Sequence, residues 1–327
     1  MDFLLNDIHT DLAQTVDGIL DRAGGVAVAR AWAENDDHSA ALNVYRQLAE
    51  AGITGLLVPD EIGGSGAGAV EMVAAVERLG YGVLPGPIAE TLAVVPAALG
   101  AGPQLDALLG GTPATCALPP VCPRATNPDV ATPYLITDDG VFSATPGELL
   151  ASVDPTRRVA EMSSDELLIE PTQLIEPSQL IERSRDLGAL ATAAQLIGLA
   201  SAMLDLAADY AKSRKQFGRE IGSFQAVKHH LADVAIAIEM ARPLVHAAAV
   251  GIDGQAPDGT DVGRDVSAAK VAAGDAAHLA YRHSLQVLGA IGYTAEHDLS
   301  LYLTKTRALL SAWGTPAHHR ARILETL

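Results

Sequence analysis

The stretch Arg214-Lys-Gln-Phe-Gly-Arg-Glu-Ile-Gly-Ser-Phe-Gln-Ala-Val-Lys228 joins two long segments of helical character. An uncharged, alanine-rich segment leads into it, and a strongly periodic segment leads out of it. Because the connection is short, we expect the two helices to be packed neighbours. The break carries Arg214, Gln216 and Phe217. An arginine can pair with phosphate oxygens and a phenyl ring can pack on a flat group, so the break suits a ligand with phosphates and a ring.

The segments around this break predict a helical bundle. Asp186 is placed to be the N-cap of the alanine-rich helix, and Ser223 the N-cap of the helix after the break. The second helix has apolar residues at alternating steps of three and four, which is the spacing of a packed bundle helix. Those residues are Phe224, Val227, Leu231, Val234, Ile238, Ala241 and Val245. A loop from Gly251 to Gly263 precedes a third helix, Ala268 to Leu288, and a fourth covers Leu299 to Leu310.

The first third of the chain also predicts helices, and the middle does not. Helical spacing covers Ala40 to Ala51, Val70 to Leu79 (stopped by Gly80) and Thr91 to Leu99. The glycines from Gly63 to Gly66 predict a plain turn, because the Lys-Ser/Thr ending of a phosphate-binding loop is absent. From Thr112 to Ser184 prolines multiply, and Asp139-Gly140 between apolar runs predicts a hairpin. A near-repeat over Leu168 to Glu182 predicts a lengthened surface connection.

Composition and charge narrow the class of protein. The 327 residues are 49% hydrophobic but only 4% aromatic, which favours closely packed helices. The formal net charge is −18, and such a surface repels nucleic acid and anionic membranes, so neither is an expected partner. Cys116 and Cys122 do not form a secreted disulfide framework or a metal-binding pattern. The N-terminal residues lack the features of a signal peptide. The uncharged run Leu187 to Leu204 is interpreted as a buried core helix, and we expect a cytoplasmic protein.

Three motifs in this order resemble the acyl-CoA dehydrogenase family, flavoproteins that oxidise acyl-CoA thioesters to 2-enoyl-CoA. The first is Leu48-Ala-Glu-Ala-Gly-Ile-Thr-Gly-Leu-Leu-Val-Pro-Asp-Glu-Ile-Gly-Gly64. The second is Arg214-Lys-Gln-Phe-Gly218, and the third is Gln286-Val-Leu-Gly-Ala-Ile-Gly-Tyr-Thr294. The resemblance implies a mainly α fold with a small β domain. Its parts would be an N-terminal helical domain (1–111), a reduced, barrel-like β middle domain (112–184) and a C-terminal four-helix bundle (185–327).

The resemblance also implies FAD as the cofactor. In the family, the second and third motifs reach across a dimer interface to the pyrophosphate and adenosine half of the FAD held mainly by the neighbouring subunit. The implied cofactor-binding residues are Arg214, Gln216, Phe217, Gly218, Gln286, Val287, Leu288, Gly289 and Ala290. Ala290 stands where the family usually has a second glycine. An acyl-CoA substrate and an electron-transfer flavoprotein as acceptor are implied in the same way.

The family's catalytic base does not have a counterpart in this sequence. The base is a glutamate in a Glu-Gly-Thr segment, which here reads Trp313-Gly314-Thr315. An indole has no lone pair for a proton at neutral pH, so Trp313 cannot be a general base. Two relocated bases are conceivable, Asp186 and His318. For Asp186 helix capping is the better interpretation, and for His318 and His319 an exposed C-terminal turn.

The middle of the chain is depleted as well. It has no tryptophan and no Gly-Ser-Asp loop, which in the family hold the flavin ring of the subunit's own FAD. Features that would serve this subunit's own site are lost, whereas those that reach a neighbour are kept. We therefore expect an accessory subunit that pairs with a homologous catalytic subunit, as α2β2, on a bulky or steroid-derived acyl-CoA. The alternatives are a self-sufficient dehydrogenase with a relocated base and a non-enzymatic helical assembly module.

Overall fold

The computed structural model describes residues 6–170 and 177–326, and within these ranges the expected mainly α fold with a small sheet is confirmed. Six α-helices form the N-terminal part. They are α1 (Asp7–Ala23), α2 (Ala27–Asn35), α3 (Ser39–Glu50), α4 (Ala69–Tyr81), α5 (Val95–Ala98) and α6 (Pro103–Leu109). A single π-helical stretch, Glu90–Val94, leads into α5. Gly80 does not end α4, which continues to Tyr81.

The glycine-rich segment before α4 is a turn, as predicted. The Gly66 amide donates to the carbonyl of Val58 at 3.0 Å, which folds the segment back on itself. A Cβ at Gly64 would lie 2.0 Å from that same carbonyl oxygen, so only glycine fits there. The turn is therefore fixed by backbone packing.

A small, strongly bent sheet forms the middle of the chain. Its strands are β1 (Ala114–Ala117), β2 (Arg124–Thr126), β3 (Thr132–Thr137), β4 (Gly140–Pro146), β5 (Leu150–Ala151) and β6 (Arg158–Ile169). The order is β1-β3-β4-β6-β2, with β5 also on β6, and only β1 and β3 run parallel. The amide of Thr126 donates to Thr115 Oγ1 at 3.0 Å, so the two ends of the path meet. The predicted hairpin at Asp139-Gly140 is the β3–β4 turn.

Five helices form the C-terminal bundle. They are α7 (Pro177–Ser213), α8 (Gln225–Ile252), α9 (Val262–Leu288), α10 (Leu299–Leu309) and α11 (Pro316–Leu324). A two-stranded hairpin of β7 (Lys215–Gln216) and β8 (Arg219–Glu220) connects α7 to α8. Helix α8 ends at Ile252, where the loop was predicted, and α9 ends at Leu288, before the predicted break at Gly289. The start of α9 differs from the prediction, because the helix begins at Val262 and not at Ala268. The near-repeat falls partly on residues 171–176, which lie outside the described residues.

Helix α7 is the centre of the core. Its residues from Leu187 to Ala200 are buried without exception, which confirms the interpretation of the uncharged run as a core helix. By length and composition α7 and α8 could each span a membrane, but 89% of the most apolar window of α7 is buried within the protein. Gly198 allows α7 to touch the backbone of α4, since a Cβ there would lie 2.0 Å from the Glu77 carbonyl oxygen.

Two predicted helix caps are wrong. Helix α7 begins at Pro177, so Asp186 lies inside the helix, where its carboxylate accepts hydrogen bonds from the Arg322 guanidinium at 2.5 and 3.2 Å. Helix α8 begins at Gln225, after the extended residue Phe224. The Ser223 hydroxyl instead donates to the carbonyl of Glu220 at 2.7 Å. In both cases the helix begins elsewhere, nine residues before Asp186 and two residues after Ser223, so neither residue is at the N-cap position.

Two long-range side-chain contacts fix the parts of the chain to each other. Asp253, just after α8, accepts hydrogen bonds from the amides of Ala69 and Val70 at the start of α4, at 2.7 and 3.2 Å. It thus caps a helix that lies 184 residues away in sequence. The buried ammonium of Lys305 in α10 donates to the Leu84 carbonyl at 2.7 Å. The N-terminal helices are therefore fixed against both ends of the bundle.

Candidate functional site

The hairpin between α7 and α8 presents its tip to solvent. Phe217 (φ 52°) and Gly218 (φ 79°) form a two-residue turn in which both residues are left-handed. Left-handed backbone is rare for a bulky residue, and Phe217 is also 92% exposed. Its ring touches only the edge of Phe224, with centroids 6.2 Å apart. The hairpin therefore offers an aromatic ring that packs against little else in the described part of the chain.

Arg214 and Gln216 are exposed on the same hairpin. Within residues 6–170 and 177–326, neither side chain makes a hydrogen bond or an ion pair. The backbone carbonyl of Arg214 accepts from the Ile221 amide at 2.9 Å, which closes the base of the hairpin. The guanidinium of Arg214 is thus free to bind an anion from outside the subunit.

The second predicted binding segment lies where α9 ends. Gln286 and Ala290 are exposed, whereas the side chains of Val287 and Leu288 are buried in the core. Only the backbone of those two residues could therefore contact a ligand. Gly289 has φ 61° and ψ −136°, a region that essentially only glycine occupies, and the position of its absent Cβ faces open space.

The two predicted segments lie at the same end of the bundle. The rings of His230, near the start of α8, and His283, near the end of α9, are 4.4 Å apart. The hairpin ends at Glu220, shortly before α8 begins at Gln225, and Gln286 lies three residues after His283. The structure therefore places both motifs of the sequence at one end of a helix pair, although they are some seventy residues apart in the chain.

Trp313, which the sequence predicts to stand in place of the family's base, is buried with only 1% of its surface exposed. Its indole Nε1 donates to Glu90 Oε1 at 3.1 Å, and Gly188 in α7 makes room for the ring. A Cβ at Gly188 would lie 2.2 Å from the indole. Trp313 also has φ 53°, which a residue of this size adopts only where its surroundings enforce it.

The sequence interpretation missed Glu90. Its carboxyl group is buried, and loss of solvent raises its pKa, while the nearby Arg157 and the hydrogen bond from Trp313 oppose that rise. The signal was present, since Glu90 is the single acid in an otherwise uncharged run from Val83 to Leu105. Its partner, however, lies 223 residues further along the chain.

The prediction that His318 and His319 lie on an exposed turn is wrong for His319. His319 is fully buried, and its Nε2 lies 3.0 Å from the carbonyl oxygen of Trp313. That carbonyl can only accept, so Nε2 carries the proton and Nδ1 accepts from the Ser267 hydroxyl at 3.2 Å. Loss of solvent lowers the pKa of His319 to about 4, so the imidazole is neutral. His318 is half-buried.

The junction of the sheet and the bundle does not fit a flavin ring of this subunit's own. Thr126, Asn127 and Arg157 from the middle domain face Lys305 and Trp313 from the bundle. The cavity between them measures about 20 Å³, which holds one water molecule. A tricyclic flavin ring is many times larger. No cluster that could hold a metal ion occurs among the described residues.

Comparison with known proteins defines the class. The family description "Acyl-CoA dehydrogenase, N-terminal domain" matches residues 6–104, and "Acyl-CoA dehydrogenase, C-terminal domain" matches residues 179–327. Together they cover most of the chain, which therefore belongs to the acyl-CoA dehydrogenase family, a family of oxidoreductases.

Individual proteins and solved structures are also similar to this chain. The chain is 33% identical to acyl-CoA dehydrogenase IpdE2 of Mycobacterium tuberculosis, over 96% of this chain and 92% of that protein. Its fold is similar to a chain of the ChsE4-ChsE5 complex from Mycobacterium tuberculosis, with a TM-score of 0.81, 23% identity and coverage of 99% and 98%. The Tcur3481-Tcur3483 steroid ACAD is also similar, with a TM-score of 0.77, 22% identity and coverage of 98% and 97%.

Proposed function

We propose that this chain is the accessory subunit of a heteromeric, FAD-dependent acyl-CoA dehydrogenase. It would complete the FAD site of a homologous catalytic subunit and contribute no base of its own. The observation that carries this proposal is the Arg214–Gly218 hairpin, whose cation and ring both face away from the subunit that bears them. Such groups are suited to a ligand that is held mainly by another chain.

The chemistry of the hairpin suits the outer half of FAD. The Arg214 guanidinium can bind pyrophosphate oxygens with two parallel hydrogen bonds. Phe217 can cover a flat ring, and burying a phenylalanine stabilises a complex by about 1.5–3 kcal/mol. At the end of α9, Gly289 leaves open space through which a ligand can approach the backbone. The methyl group of Ala290 is exposed and narrows that approach only slightly.

The polar groups near Trp313 favour a non-catalytic role for this subunit. Glu90 accepts the indole hydrogen bond within an almost filled cavity. Asp186, one of the two conceivable relocated bases, is paired with Arg322. A general base must reach a substrate proton directly or through one water, and the cavity beside Trp313 has no room for a substrate. A partner would have to supply both the base and the flavin-ring pocket.

The relatives support the heteromeric arrangement. Two similar structures are named for two different chains, ChsE4-ChsE5 and Tcur3481-Tcur3483, and the second is named a steroid ACAD. By analogy we propose an α2β2 assembly in the cytoplasm, acting on a bulky acyl-CoA and passing electrons to an electron-transfer flavoprotein. Arg214, Phe217 and the backbone at Gly289 would help to hold FAD between subunits, and the bound cofactor would supply the hydride acceptor.

The test is the flavin content of the complex. Co-expression with a dehydrogenase-like partner should give a flavin-containing complex, whereas the chain alone should carry no stoichiometric FAD. The Arg214→Ala variant should lower the affinity of the complex for FAD at least about tenfold, because it removes charge-assisted hydrogen bonds. Absorbance at flavin wavelengths after dialysis against dilute FAD measures this.

A matched control distinguishes the loss of the Arg214 contact from the loss of one positive charge. Lys212→Ala removes one positive charge two residues away, where the ammonium pairs with Asp209 in solvent, and should leave flavin content unchanged. If the chain alone binds FAD and oxidises acyl-CoA, it is a self-sufficient dehydrogenase and the proposal is wrong. If Arg214→Ala leaves flavin content unchanged in every complex, a non-enzymatic assembly module is favoured instead.

A further inference from the structure

The cavity beside Trp313 is lined as a ligand site rather than as a protein core. Charged and polar side chains from three parts of the chain converge there, among them Glu90, Asn127, Asp154, Arg157 and Lys305. Cores are normally filled by apolar side chains, and convergent polar groups in an enclosed space are typical of binding pockets. Yet the space left is only about 20 Å³.

Two of these polar groups have atoms without a partner. Arg157 Nε and Asn127 Oδ1 are buried, and neither makes a hydrogen bond to any described residue. The same arginine uses Nη2 to donate to Thr126 Oγ1 at 3.1 Å, so its position is fixed. Unpaired buried polar atoms are costly and rare in native proteins. Trp313 lines the same small cavity, so the side chain that fills this space leaves part of the polar wall unpaired.

The contacts of the Trp313 indole resemble those of a bound ligand. The indole donates its one N–H to the buried carboxyl group of Glu90, and its ring lies on the bare backbone of Gly188. The main chain that carries it is left-handed at Trp313 (φ 53°) and at Gly314 (φ 105°). The carbonyl of Trp313 is held by His319. The backbone is thus bent to deliver the ring inward.

We propose that Trp313 is a built-in ligand that keeps this subunit's own pocket permanently closed. Once the indole is removed, the pocket should accept a flat heteroaromatic molecule of similar size that carries one N–H donor for Glu90. This inference does not depend on the proposed accessory function, because it concerns the isolated chain without flavin or partner.

The experiment uses Trp313→Gly in the full chain, with indole as the probe. Glycine is chosen because it adopts φ 53° without strain. We expect a lower Tm than for the unaltered chain and a rise in Tm when indole is added. Isothermal titration should show indene, which has the same shape but no N–H, binding about tenfold more weakly, since the hydrogen bond to the buried Glu90 carboxyl oxygen is lost.

Two controls test the pocket itself. Trp32→Ala removes another buried indole, which has no carboxylate partner among the residues described, and any cavity that it leaves should bind indole and indene equally. In the Trp313→Gly background, Glu90→Leu should abolish the preference for indole over indene. Gly188→Ala should lower the Tm of the unaltered chain, where its Cβ meets the indole, and should not lower it in the Trp313→Gly background.

Binding of indole to the Trp313→Gly variant supports the proposal, and its absence contradicts it. If Trp313→Gly folds but binds neither compound, the site collapses as an ordinary core and the proposal is overturned. Equal binding of indole to the unaltered chain also overturns it. If the variant does not fold alone, it is refolded with indole; folding only in the presence of indole supports the proposal, and failure with indole contradicts it.

Discussion

His319 is a titratable side chain that the fold keeps uncharged. It lies within the bundle, faced by Lys270, His318 and Arg322, all of which disfavour its protonation. Its two hydrogen bonds, to the Trp313 carbonyl and the Ser267 hydroxyl, require only the neutral form. The same network continues through Arg322 to Asp186. His319 and Ser267 thus form a hydrogen-bonded network that holds the main chain at Trp313.

Because His319 is held neutral in the folded chain, we expect the free energy of unfolding to fall in acid. The folded-state pKa of His319 is about 4 and its ordinary value is 6.5. Between these values the unfolded chain binds a proton that the folded chain does not, so the free energy of unfolding falls as pH drops from 6.5 to 4. The loss attributable to this group is up to about 3 kcal/mol. His319→Gln should flatten the dependence in this window, as measured by urea unfolding at several pH values.

The control for this prediction is an exposed histidine. His229→Gln on α8 should leave the pH dependence of the unaltered chain in place. An unchanged slope in the His319 variant would show that the acid sensitivity arises elsewhere.

Helices α4 and α7 pack with their backbones in contact. Two glycines make this possible, Gly80 in α4 and Gly198 in α7. A Cβ at Gly80 would lie 2.4 Å from the Gln195 carbonyl oxygen, and a Cβ at Gly198 would lie 2.0 Å from that of Glu77. Neighbouring backbone cannot move aside as a flexible side chain can. The crossing therefore links the N-terminal helices to the core helix of the bundle at a fixed distance.

Gly198→Ala should therefore destabilise the protein. Overpacking against fixed backbone typically costs about 1–3 kcal/mol, and chemical denaturation of the chain alone should show it as a lower midpoint. Gly274→Ala is the matched control in α9, because a Cβ there meets only the Leu310 side chain at 3.5 Å. That variant should be neutral or up to about 1 kcal/mol more stable, since alanine favours helix. Equal effects at both sites would contradict the interpretation of the crossing.

An exposed apolar face on α8 is a feature of the whole molecule. Ile236, Met240 and Leu244 recur every four residues and lie 61%, 71% and 42% exposed. Residues at this spacing share one side of a helix. The proposed heteromeric assembly needs a large apolar contact close to the Arg214 hairpin, and this helix begins directly after it. We expect the face to be covered by the partner subunit.

Met240→Lys tests that expectation. A charge at the centre of a buried contact should weaken the complex at least about tenfold without lowering the stability of the chain alone, because the residue is exposed there. Sedimentation of the co-expressed complex and Tm of the isolated chain measure the two quantities. Ile8→Lys, at a 65% exposed apolar residue in α1, is the control and should leave assembly intact. Dissociation in both variants, or in neither, would remove α8 from the interface.

Sequence alone determined the features that depend on local pattern. The helices of the bundle, the hairpin at Asp139-Gly140 and the break at Gly289 follow from periodicity and turn chemistry, which act over a few residues. The motifs around Arg214 and Gln286 were likewise visible, and with them the family.

Tertiary structure decided which side chains meet. Glu90 reaches Trp313 across 223 residues, Asp253 caps α4 across 184, and Asp186 pairs with Arg322 across 136. Such contacts are set by how whole helices pack, and the sequence near either partner does not encode the other. For the same reason the burial of His319 and the closure of the pocket by the indole could be found only in the folded chain.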